Sequence, residues 1–236
     1  MNAPINEIFA SIQGEGKFAG ASQIFIRFAG CPLHCFYCDT DYTPKKYLTI
    51  GAKSYINPIS CSELKELLRG FEPEKYHSVS FTGGEPLLYT EFIIDAAFTL
   101  KSWGAKSFLE TSGRCIVELE RAAPAFDYIS LDLKGAESYS DDIYKGWRSL
   151  VKAASNFRDK LYFKLVLRGD SADELGYKAV QAAGELLKSF GFCELWLQPI
   201  DNRFNLATIL DWQRILKNEG VDGRFLPQIH KLLGIN

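Results

Sequence analysis

The sequence lacks the features that mark several large classes of protein. Its 236 residues carry a formal net charge of -2, so the basic excess that usually accompanies nucleic-acid binding is absent. No apolar run approaches membrane-spanning length, and the first residues show neither the basic nor the apolar segment of a secretory signal. No linker rich in proline, glycine or serine divides the chain. We therefore expect a single cytoplasmic domain over residues 1–236.

The six cysteines do not indicate a disulfide framework, because no secretory signal precedes them. Three of them are isolated in the sequence, and we interpret these as small buried apolar residues: Cys61, Cys115 and Cys193. The other three fall within eight residues of the stretch GCPLHCFYCDT (30–40), and no fourth cysteine lies close by. They are Cys31, Cys35 and Cys38. Clustered thiols in a reducing compartment indicate a metal site.

The residues alone leave two kinds of metal site open. A structural zinc ion needs four ligands, and His34 lies inside the loop as a possible fourth. A 4Fe–4S cluster needs one outside ligand for each iron, so three thiolates leave one iron open to an external ligand. Gly30 and Pro32 would help the loop turn around such a cluster. The spacing of the three cysteines favours the 4Fe–4S cluster over zinc, and motifs elsewhere in the chain decide between the two.

Short β-rich runs alternate with helical patterns along the chain. Strands are predicted at 22–28, 77–81, 106–110, 127–133, 160–167, 193–200 and 224–226. Helices are predicted at 90–104, 116–122, 141–155, 171–190 and 206–218, with an earlier one that Ser60 and Glu63 cap and Gly70 ends. The alternation indicates parallel strands joined by crossover helices. We predict an α/β fold, a partial or modified (β/α) barrel of roughly six parallel strands with helices outside.

Unusual polar segments follow most of the predicted strands. The cysteine loop follows the first, TGGEP the second, ETSG the third, DLKG the fourth, QPID the sixth and PQIHK the last. Ligands of parallel α/β sheets bind at this edge, beyond the carboxyl ends of the strands. Adjacent glycines in TGGEP allow close backbone approach to a ligand, and Glu85 adds an acceptor. The layout predicts an enzyme and the place of its active site.

The pattern C-x3-C-x2-C after the first strand, with GGEP after the second, resembles the radical S-adenosylmethionine (SAM) superfamily. The resemblance implies a barrel of the radical SAM type and a 4Fe–4S cluster on Cys31, Cys35 and Cys38. It also implies that SAM binds the open iron, that Glu85 receives its ammonium group, and that an electron from the cluster cleaves SAM to a 5′-deoxyadenosyl radical. A fourth cysteine would block that binding.

Within the superfamily, the segments FASIQGEGKFAG, IFIRFAGC and CDT are similar to those of the 7-carboxy-7-deazaguanine synthase family, and ETSG, LDLKG, LQPID and PQIHKLLGIN also fit. The resemblance implies a lyase acting on 6-carboxy-5,6,7,8-tetrahydropterin in 7-deazapurine and queuosine biosynthesis. Hydrogen abstraction at C6, radical ring contraction and loss of ammonia are the implied steps. Mg2+, a homodimer and a flavodoxin- or ferredoxin-like reductant are implied too, with no direct nucleic-acid or membrane partner.

The family motifs place functional residues at matching positions, with no catalytic side chain beyond the cluster and the SAM-derived radical. The substrate residues would be Ile12, Gln13, Gly14, Glu15, Arg27, Thr82 and Asn236. The SAM residues would be Tyr37, Cys38, Asp39, Gly84, Glu85, Ser112, Asp132, Leu133, Lys134, Gln198, Pro199 and Asp201. Thr40 would bind Mg2+ together with substrate oxygens and water. The segment SLDLKG departs from the serine-proline-lysine form common in the family. His230 and Lys231 match the family's tail and are equally well explained as structural residues.

Two alternatives share part of this pattern. A glycyl-radical activating enzyme would use the same cluster and SAM on a partner protein, whereas Gln13, Glu15 and Arg27 suit a small carboxylated heterocycle. An arginine can pair with a substrate carboxylate through two parallel hydrogen bonds. A zinc-binding module built from the thiols and His34 would leave GGEP, ETSG and QPID without a common purpose.

Overall fold

The structure is a computed structural model and describes residues 1–38, 40–170 and 173–235. The strands are β1 (Asn2–Ala3), β2 (Ile5–Ile12), β3 (Ser22–Phe28), β4 (Tyr47–Ile50), β5 (Lys53–Ile56), β6 (Ile59–Ser60), β7 (Ser78–Gly83), β8 (Ser107–Thr111), β9 (Tyr128–Leu133), β10 (Leu161–Gly169), β11 (Glu194–Phe204) and β12 (Asp222–Phe225). The α-helices are α1 (Cys61–Arg69), α2 (Thr90–Ser102), α3 (Ile116–Ala122), α4 (Asp141–Ala154), α5 (Glu174–Ser189), α6 (Leu206–Asn218) and α7 (Ile229–Leu233).

The chain divides into two compact units, and each is described by itself. The first unit comprises Met1–Gln13, Gly20–Thr111 and Val117–Ile129. The second comprises Gly14–Ala19, Ser112–Ile116 and the chain from Ser130 onward. The assignment of the whole chain to a single domain stays a prediction.

In the first unit, the strand order is β2-β3-β7-β8. Strand β3 runs parallel to β7, which runs parallel to β8, and β2 is antiparallel to β3. The register places Phe28 opposite Gly83, so the loops that follow β3 and β7 begin side by side. Phe28 is fully buried among Phe81, Tyr89 and Phe92, and this aromatic core fixes the two strand ends that carry those loops.

In the second unit, β10, β11 and β12 are neighbours in that order and all run parallel. Every residue of β10 except Arg168 is buried, as expected of a central strand covered on both faces. Phe163 packs edge-on against Phe192, with ring centroids 5.0 Å apart, and Trp212 of α6 is almost fully buried. The carboxyl ends of β10 and β11 therefore emerge from a packed core.

The predicted alternation of parallel strands and helices is confirmed. Helix α1 begins as its sequence predicts, because the Ser60 hydroxyl accepts from the Glu63 backbone and the Glu63 carboxylate accepts from the Ser60 backbone. Gly70 ends it. Helices α3 and α6 have the predicted bounds, while α2 and α4 end two residues and one residue early. Helix α5 begins after its cap Asp173 and ends one residue early, and the first two residues of its predicted range, 171–172, lie outside the described residues.

Three antiparallel pairings of the first unit lie outside the predicted alternation. Strand β2 adds an edge beside β3, β4 with β5 forms a hairpin, and the short β1 pairs with β6. The burial predicted for the isolated cysteines holds for Cys61 and is wrong for Cys193, which is exposed where the turn before β11 ends. Cys115 is half-buried. In the part of the chain that the structure describes, no helix is both long and apolar enough to span a membrane.

Candidate active site

The cysteine loop is a closed loop at the carboxyl end of β3, anchored at both ends in the first unit. The Gly30 amide donates to the Tyr42 carbonyl at 2.7 Å, which joins the start of the loop to its end. The buried Asn6 of β2 donates to the carbonyls of Asp41 and Thr43 at 3.0 and 2.9 Å. These bonds hold the loop's ends in place, while the described residues between them form no helix or strand.

The three thiols of this loop are all free and lie close enough to influence one another's charge. Burial raises the pKa of the Cys31 thiol, against a smaller lowering effect of a hydrogen bond with the Leu33 backbone. The charges of Glu85, Cys35 and Cys38 raise that pKa further. Negative charge at these neighbours therefore opposes ionisation of Cys31, and the positively charged core of an iron cluster would favour its thiolate form on binding.

The donor set of the cysteine loop fits a cluster, because each of its three cysteines can bind a different iron of a 4Fe–4S cluster. Within residues 1–38, 40–170 and 173–235, the structure shows no group of three or more His, Cys, Asp or Glu side chains arranged to hold a single metal ion. His34, the fourth ligand of the zinc alternative, has its Nδ1 3.0 Å from the Tyr42 hydroxyl. Three free thiols on one anchored loop fit the cluster.

The glycine loop after β7 is bonded directly to the start of the cysteine loop. The Gly84 amide donates to the Phe28 carbonyl and the Glu85 amide to the Gly30 carbonyl, both at 2.8 Å. A Cβ atom on Gly84 would lie 1.9 Å from the Gly30 carbonyl oxygen, so only glycine fits here. The Glu85 carboxylate is fully buried and accepts from the Thr111 hydroxyl at 2.6 Å. This carboxylate, predicted to bind SAM, is thus held beside Cys31.

We expect Gly84→Ala to lower the free energy of unfolding of the cluster-free protein by about 2–3 kcal/mol, because the added methyl forces the two loops apart. The same change should reduce the iron taken up on reconstitution. Gly146→Ala is the matched control: a methyl on this α4 residue would meet no side chain and no other segment within 4 Å, and alanine should stabilise the helix by about 1 kcal/mol. Urea unfolding and iron analysis measure both effects; equal behaviour of the two variants would contradict the steric argument.

Two predicted substrate residues of the first unit are joined by a side chain that the motifs did not single out. Gln13 is 3% exposed, and its amide donates to Glu110 Oε1 at 2.6 Å and to Gln23 Oε1 at 3.0 Å. The Thr82 hydroxyl donates to the other Glu110 oxygen at 2.7 Å, and Gln23 donates to Ser78 at 2.9 Å. Glu110 opens ETSG, so its place after a strand was the available signal. These five side chains form the polar row of the first unit.

Arg27 lies on β3 between two neighbouring strands, opposite Glu7 on β2 and opposite Thr82 on β7. Its Nη1 donates to Glu7 Oε2 at 2.8 Å, and its guanidinium carbon lies 4.8 Å from the centre of the Phe9 ring. The side chain is 30% exposed. The guanidinium therefore has a fixed orientation and retains N–H groups beyond the one given to Glu7. Ile12, at the end of β2, is part-exposed.

Predicted substrate residues of the second unit are held by the chain's last turn. The Ile229 amide donates to the Gly14 carbonyl at 2.9 Å, and a methyl on Gly14 would collide with His230. The Glu15 carboxylate accepts from Gln228 Nε2 at 2.7 Å and from Lys164 Nζ at 2.6 Å. His230, matched to the family's tail, thus packs against this segment.

The SAM residues predicted in the second unit belong to three segments: Ser112 follows β8, Asp132 and Leu133 end β9 with Lys134 directly after them, and Gln198, Pro199 and Asp201 lie within β11. Asp132 pairs with Lys134 at 2.7 Å and with Lys164 at 3.2 Å. The Lys134 carbonyl accepts from the Trp147 indole at 2.8 Å, so SLDLKG is firmly held although it departs from the common form. Asp201 has a positive φ of 53°. The Ser112 hydroxyl accepts from the Arg114 amide, and Leu133, Gln198 and Pro199 are buried. In the first unit, Tyr37 and Thr40 are half-buried. The predicted site residues Asp39 and Asn236 lie outside the described residues.

The cysteine loop with its adjoining glycine loop defines the class of protein. The model of the Radical SAM superfamily matches residues 25–174 of the chain. Among curated proteins, the 7-carboxy-7-deazaguanine synthase of Archaeoglobus fulgidus is 35% identical over the full length of both chains. That of Methanocaldococcus jannaschii is 31% identical over 98% of this chain and 99% of the relative. The enzyme of Methanothermobacter thermautotrophicus is 44% identical over 62% of this chain and 55% of the relative.

Solved structures agree on the fold. The crystal structure of QueE from Escherichia coli has a TM-score of 0.60 at 21% identity, covering 98% of this chain and 95% of that one. Archaeal TYW1 has a TM-score of 0.51 at 12% identity, covering 84% and 72%. Fold and site are those of a radical SAM enzyme, whose cofactors are a 4Fe–4S cluster and SAM. Within that superfamily, the chain belongs to the 7-carboxy-7-deazaguanine synthase family.

Proposed function

We propose that this enzyme converts 6-carboxy-5,6,7,8-tetrahydropterin to 7-carboxy-7-deazaguanine and ammonia, a step toward queuosine and related 7-deazapurines. Loss of ammonia balances the reaction, and no net oxidation is needed. The observation that carries the proposal is the polar row of the first unit, in which Glu110 joins Gln13 to Thr82. A row of amide, carboxylate and hydroxyl groups matches the alternating donors and acceptors along the edge of a pterin ring.

The sequence motifs supply residues for both cofactors. When bound, the cluster and SAM together supply a carbon-centred radical that takes the hydrogen atom from C6 of the substrate. The three thiols of the cysteine loop hold the cluster, and the backbone of Gly84 with the buried Glu85 carboxylate binds the methionine end of SAM. The remaining SAM residues are Tyr37, Asp39, Ser112, Asp132, Leu133, Lys134, Gln198, Pro199 and Asp201.

Arg27 recognises the substrate's carboxylate. One of its five N–H groups donates to Glu7, which leaves the others for a second carboxylate. The Phe9 ring and Glu7 together fix the plane of the guanidinium, so little side-chain freedom is lost when the substrate binds. A pterin without the carboxylate should therefore be a poor substrate.

Glu15 is the charged acceptor for the pterin's donor groups. Burial raises the pKa of its carboxyl, but the charge and hydrogen bond of Lys164, the hydrogen bond of Gln228 and the charge of His230 outweigh burial. Together they lower the pKa from 4.5 to about 2. Glu15 is therefore ionised throughout the neutral range and accepts hydrogen bonds without needing to lose a proton first.

Thr40 completes the proposal as a ligand of Mg2+, together with substrate oxygens and water, because a hydroxyl is a hard oxygen donor. Leaving Mg2+ out of the assay should reduce product formation.

We further propose a cytoplasmic homodimer that receives electrons from a flavodoxin- or ferredoxin-like protein. Sedimentation of the reconstituted enzyme tests the dimer, and a monomer at assay concentrations would remove it.

The direct test is turnover by the anaerobically reconstituted enzyme. Reduced protein, SAM, Mg2+ and 6-carboxytetrahydropterin should yield 7-carboxy-7-deazaguanine, identified by mass and absorbance. Arg27→Ala should raise the KM for this substrate by about 10- to 100-fold, the value of a charged hydrogen-bonded contact, with cluster content unchanged. Arg121→Ala, which removes an exposed ion pair with Glu91, should change neither. Normal cleavage of SAM without any deazaguanine would refute the substrate and favour an activating enzyme.

A further inference from the structure

A lysine ammonium group lies almost completely buried between two carboxylates in the second unit. Lys164 sits in the middle of β10 with its side chain 5% exposed. Its Nζ is 2.6 Å from Glu15 Oε2 and 3.2 Å from Asp132 Oδ1. Lysine is rarely buried to this depth unless it is paired, because removing an ammonium group from water is costly. The structure therefore uses an unusual residue to hold these two carboxylates.

The two carboxylates belong to different predicted binding sets. Glu15 is a substrate residue, and Asp132 is a SAM residue that also pairs with Lys134 at 2.7 Å. Glu15 is steadied on its other oxygen by Gln228. The Gln228 backbone in turn exchanges two hydrogen bonds with the Asn202 side chain, at 2.6 and 3.0 Å. The Lys164 ammonium group thus contacts one carboxylate of the substrate set and one carboxylate of the SAM set.

We propose that Lys164 is a positioning residue that fixes Glu15 for the substrate and Asp132 for SAM, so that the two binding sets depend on one buried ammonium group. This proposal rests on the proposed function, which assigns Glu15 to the substrate and Asp132 to SAM. The ion pairs themselves are independent of that assignment. Lys164 is not a catalytic residue here, since it acts through the two carboxylates.

Charged groups from two other segments lie near Glu15 in addition to Lys164. They are Asp132 from β9 and His230 from α7, with Lys134 one step further away beyond Asp132. Removing the ammonium group would leave the buried Glu15 close to the Asp132 carboxylate, without the cation that separates the two. Burial and repulsion both favour the protonated carboxyl, so the pKa of Glu15 should rise well above its present low value.

The first test measures substrate binding through the KM of Lys164→Met. At neutral pH the KM for 6-carboxytetrahydropterin should rise about 10- to 100-fold, and it should rise further as the pH falls, because Glu15 now titrates in the assay range. The wild-type KM should stay flat with pH. Lys164→Arg, which keeps the charge, should recover most of the affinity. Lys65→Met, which removes a lysine–aspartate pair on α1 and α2, is the matched control and should behave as wild type.

A double-mutant cycle separates positioning from packing. In a Glu15→Gln background the carboxylate is already gone. Adding Lys164→Met should then raise the KM much less than it does in wild type, and the KM should not depend on pH. The proposal would be overturned if Lys164→Met raised the KM by the same factor in both backgrounds, or if the increase in KM were the same at every pH. An unchanged KM in Lys164→Met would also overturn it.

The second test needs neither cofactor nor substrate. In the folded protein the pKa of Glu15 lies below its ordinary value of 4.5, so its stabilising effect is present above that value and is lost as the pH falls toward 2. The stability gap between wild type and Lys164→Met in urea should therefore be largest near about pH 7 and narrow toward about pH 3. If the difference in the free energy of unfolding between wild type and Lys164→Met did not change with pH, Lys164 would contribute only packing and the proposal would be wrong.

The two tests also distinguish the proposals from each other. If wild type makes no 7-carboxy-7-deazaguanine, the proposed function fails, while the unfolding experiment still decides whether Lys164 holds the carboxylates. If Lys164→Met does not fold, Glu15→Gln is unfolded in its place. Its stability deficit relative to wild type should likewise shrink with acidification, and a constant deficit would again overturn the ion-pair account.

Discussion

Replacing Cys35 by alanine is expected to abolish both cluster binding and product formation. The substitution removes one of the three thiols in a loop whose ends are held by Asn6 and Gly30, and the three isolated cysteines of the chain are not part of this loop. A cluster with two protein ligands has two exposed irons and is readily lost. Iron and sulfide analysis after anaerobic reconstitution, with the visible absorption of the protein, measures the effect.

The control for this prediction is another cysteine of the same chain. Cys193 is exposed and lies outside the loop, so Cys193→Ala should keep its cluster and its activity. Circular dichroism of the cluster-free proteins should show that both variants fold. If Cys35→Ala retained the iron content of Cys193→Ala, the cysteine loop would not be the cluster site.

Replacing Glu110 by alanine is expected to lower kcat/KM by about 100-fold, because the substitution removes the acceptor at the centre of the polar row. Gln13 is buried and would lose the partner of its 2.6 Å hydrogen bond, and the Thr82 hydroxyl would lose its partner as well. Both side chains would then be free to turn away from the substrate. Steady-state kinetics on protein with full cluster content measures the loss.

Two further variants sharpen that prediction. Glu110→Gln keeps the shape and one acceptor oxygen, so it should recover part of the lost activity. Glu120→Ala changes an exposed glutamate of α3 in the same region of the sequence and should leave activity and stability near wild type. If Glu110→Ala were as active as Glu120→Ala, the polar row would have no part in substrate binding.

The fold was predictable where local chemistry decides it. The capping box at Ser60 and Glu63, and the apolar strands that alternate with helices, were sufficient to place most elements. Strand β2 was not, because six of its eight residues are polar or incompletely buried and its pairing with β3 depends on residues elsewhere in the chain. The hairpin of β4 and β5 is largely exposed, and Leu48 is the single buried residue of its eight.

The candidate site was predictable where residues stand in a motif. The cysteine loop and GGEP were identified from the sequence, and the structure joins them through the hydrogen bonds that the Gly84 amide donates to Phe28 and the Glu85 amide donates to Gly30. Glu110 and Lys164 were not identified, for a physical reason. Each acts through side chains far away in the sequence, and Lys164 stands alone in an apolar strand where only the fold shows its two carboxylate partners.

The arrangement of thiols on the cysteine loop is the basis of the whole proposal, and iron spectroscopy tests it most directly. Anaerobic reconstitution with isotopically enriched iron should give about four irons and four sulfides per chain. Addition of SAM should then change the Mössbauer signal of one iron and leave the other three as they were. A colourless protein that holds one zinc ion, or a cluster whose four irons all ignore SAM, would contradict the account.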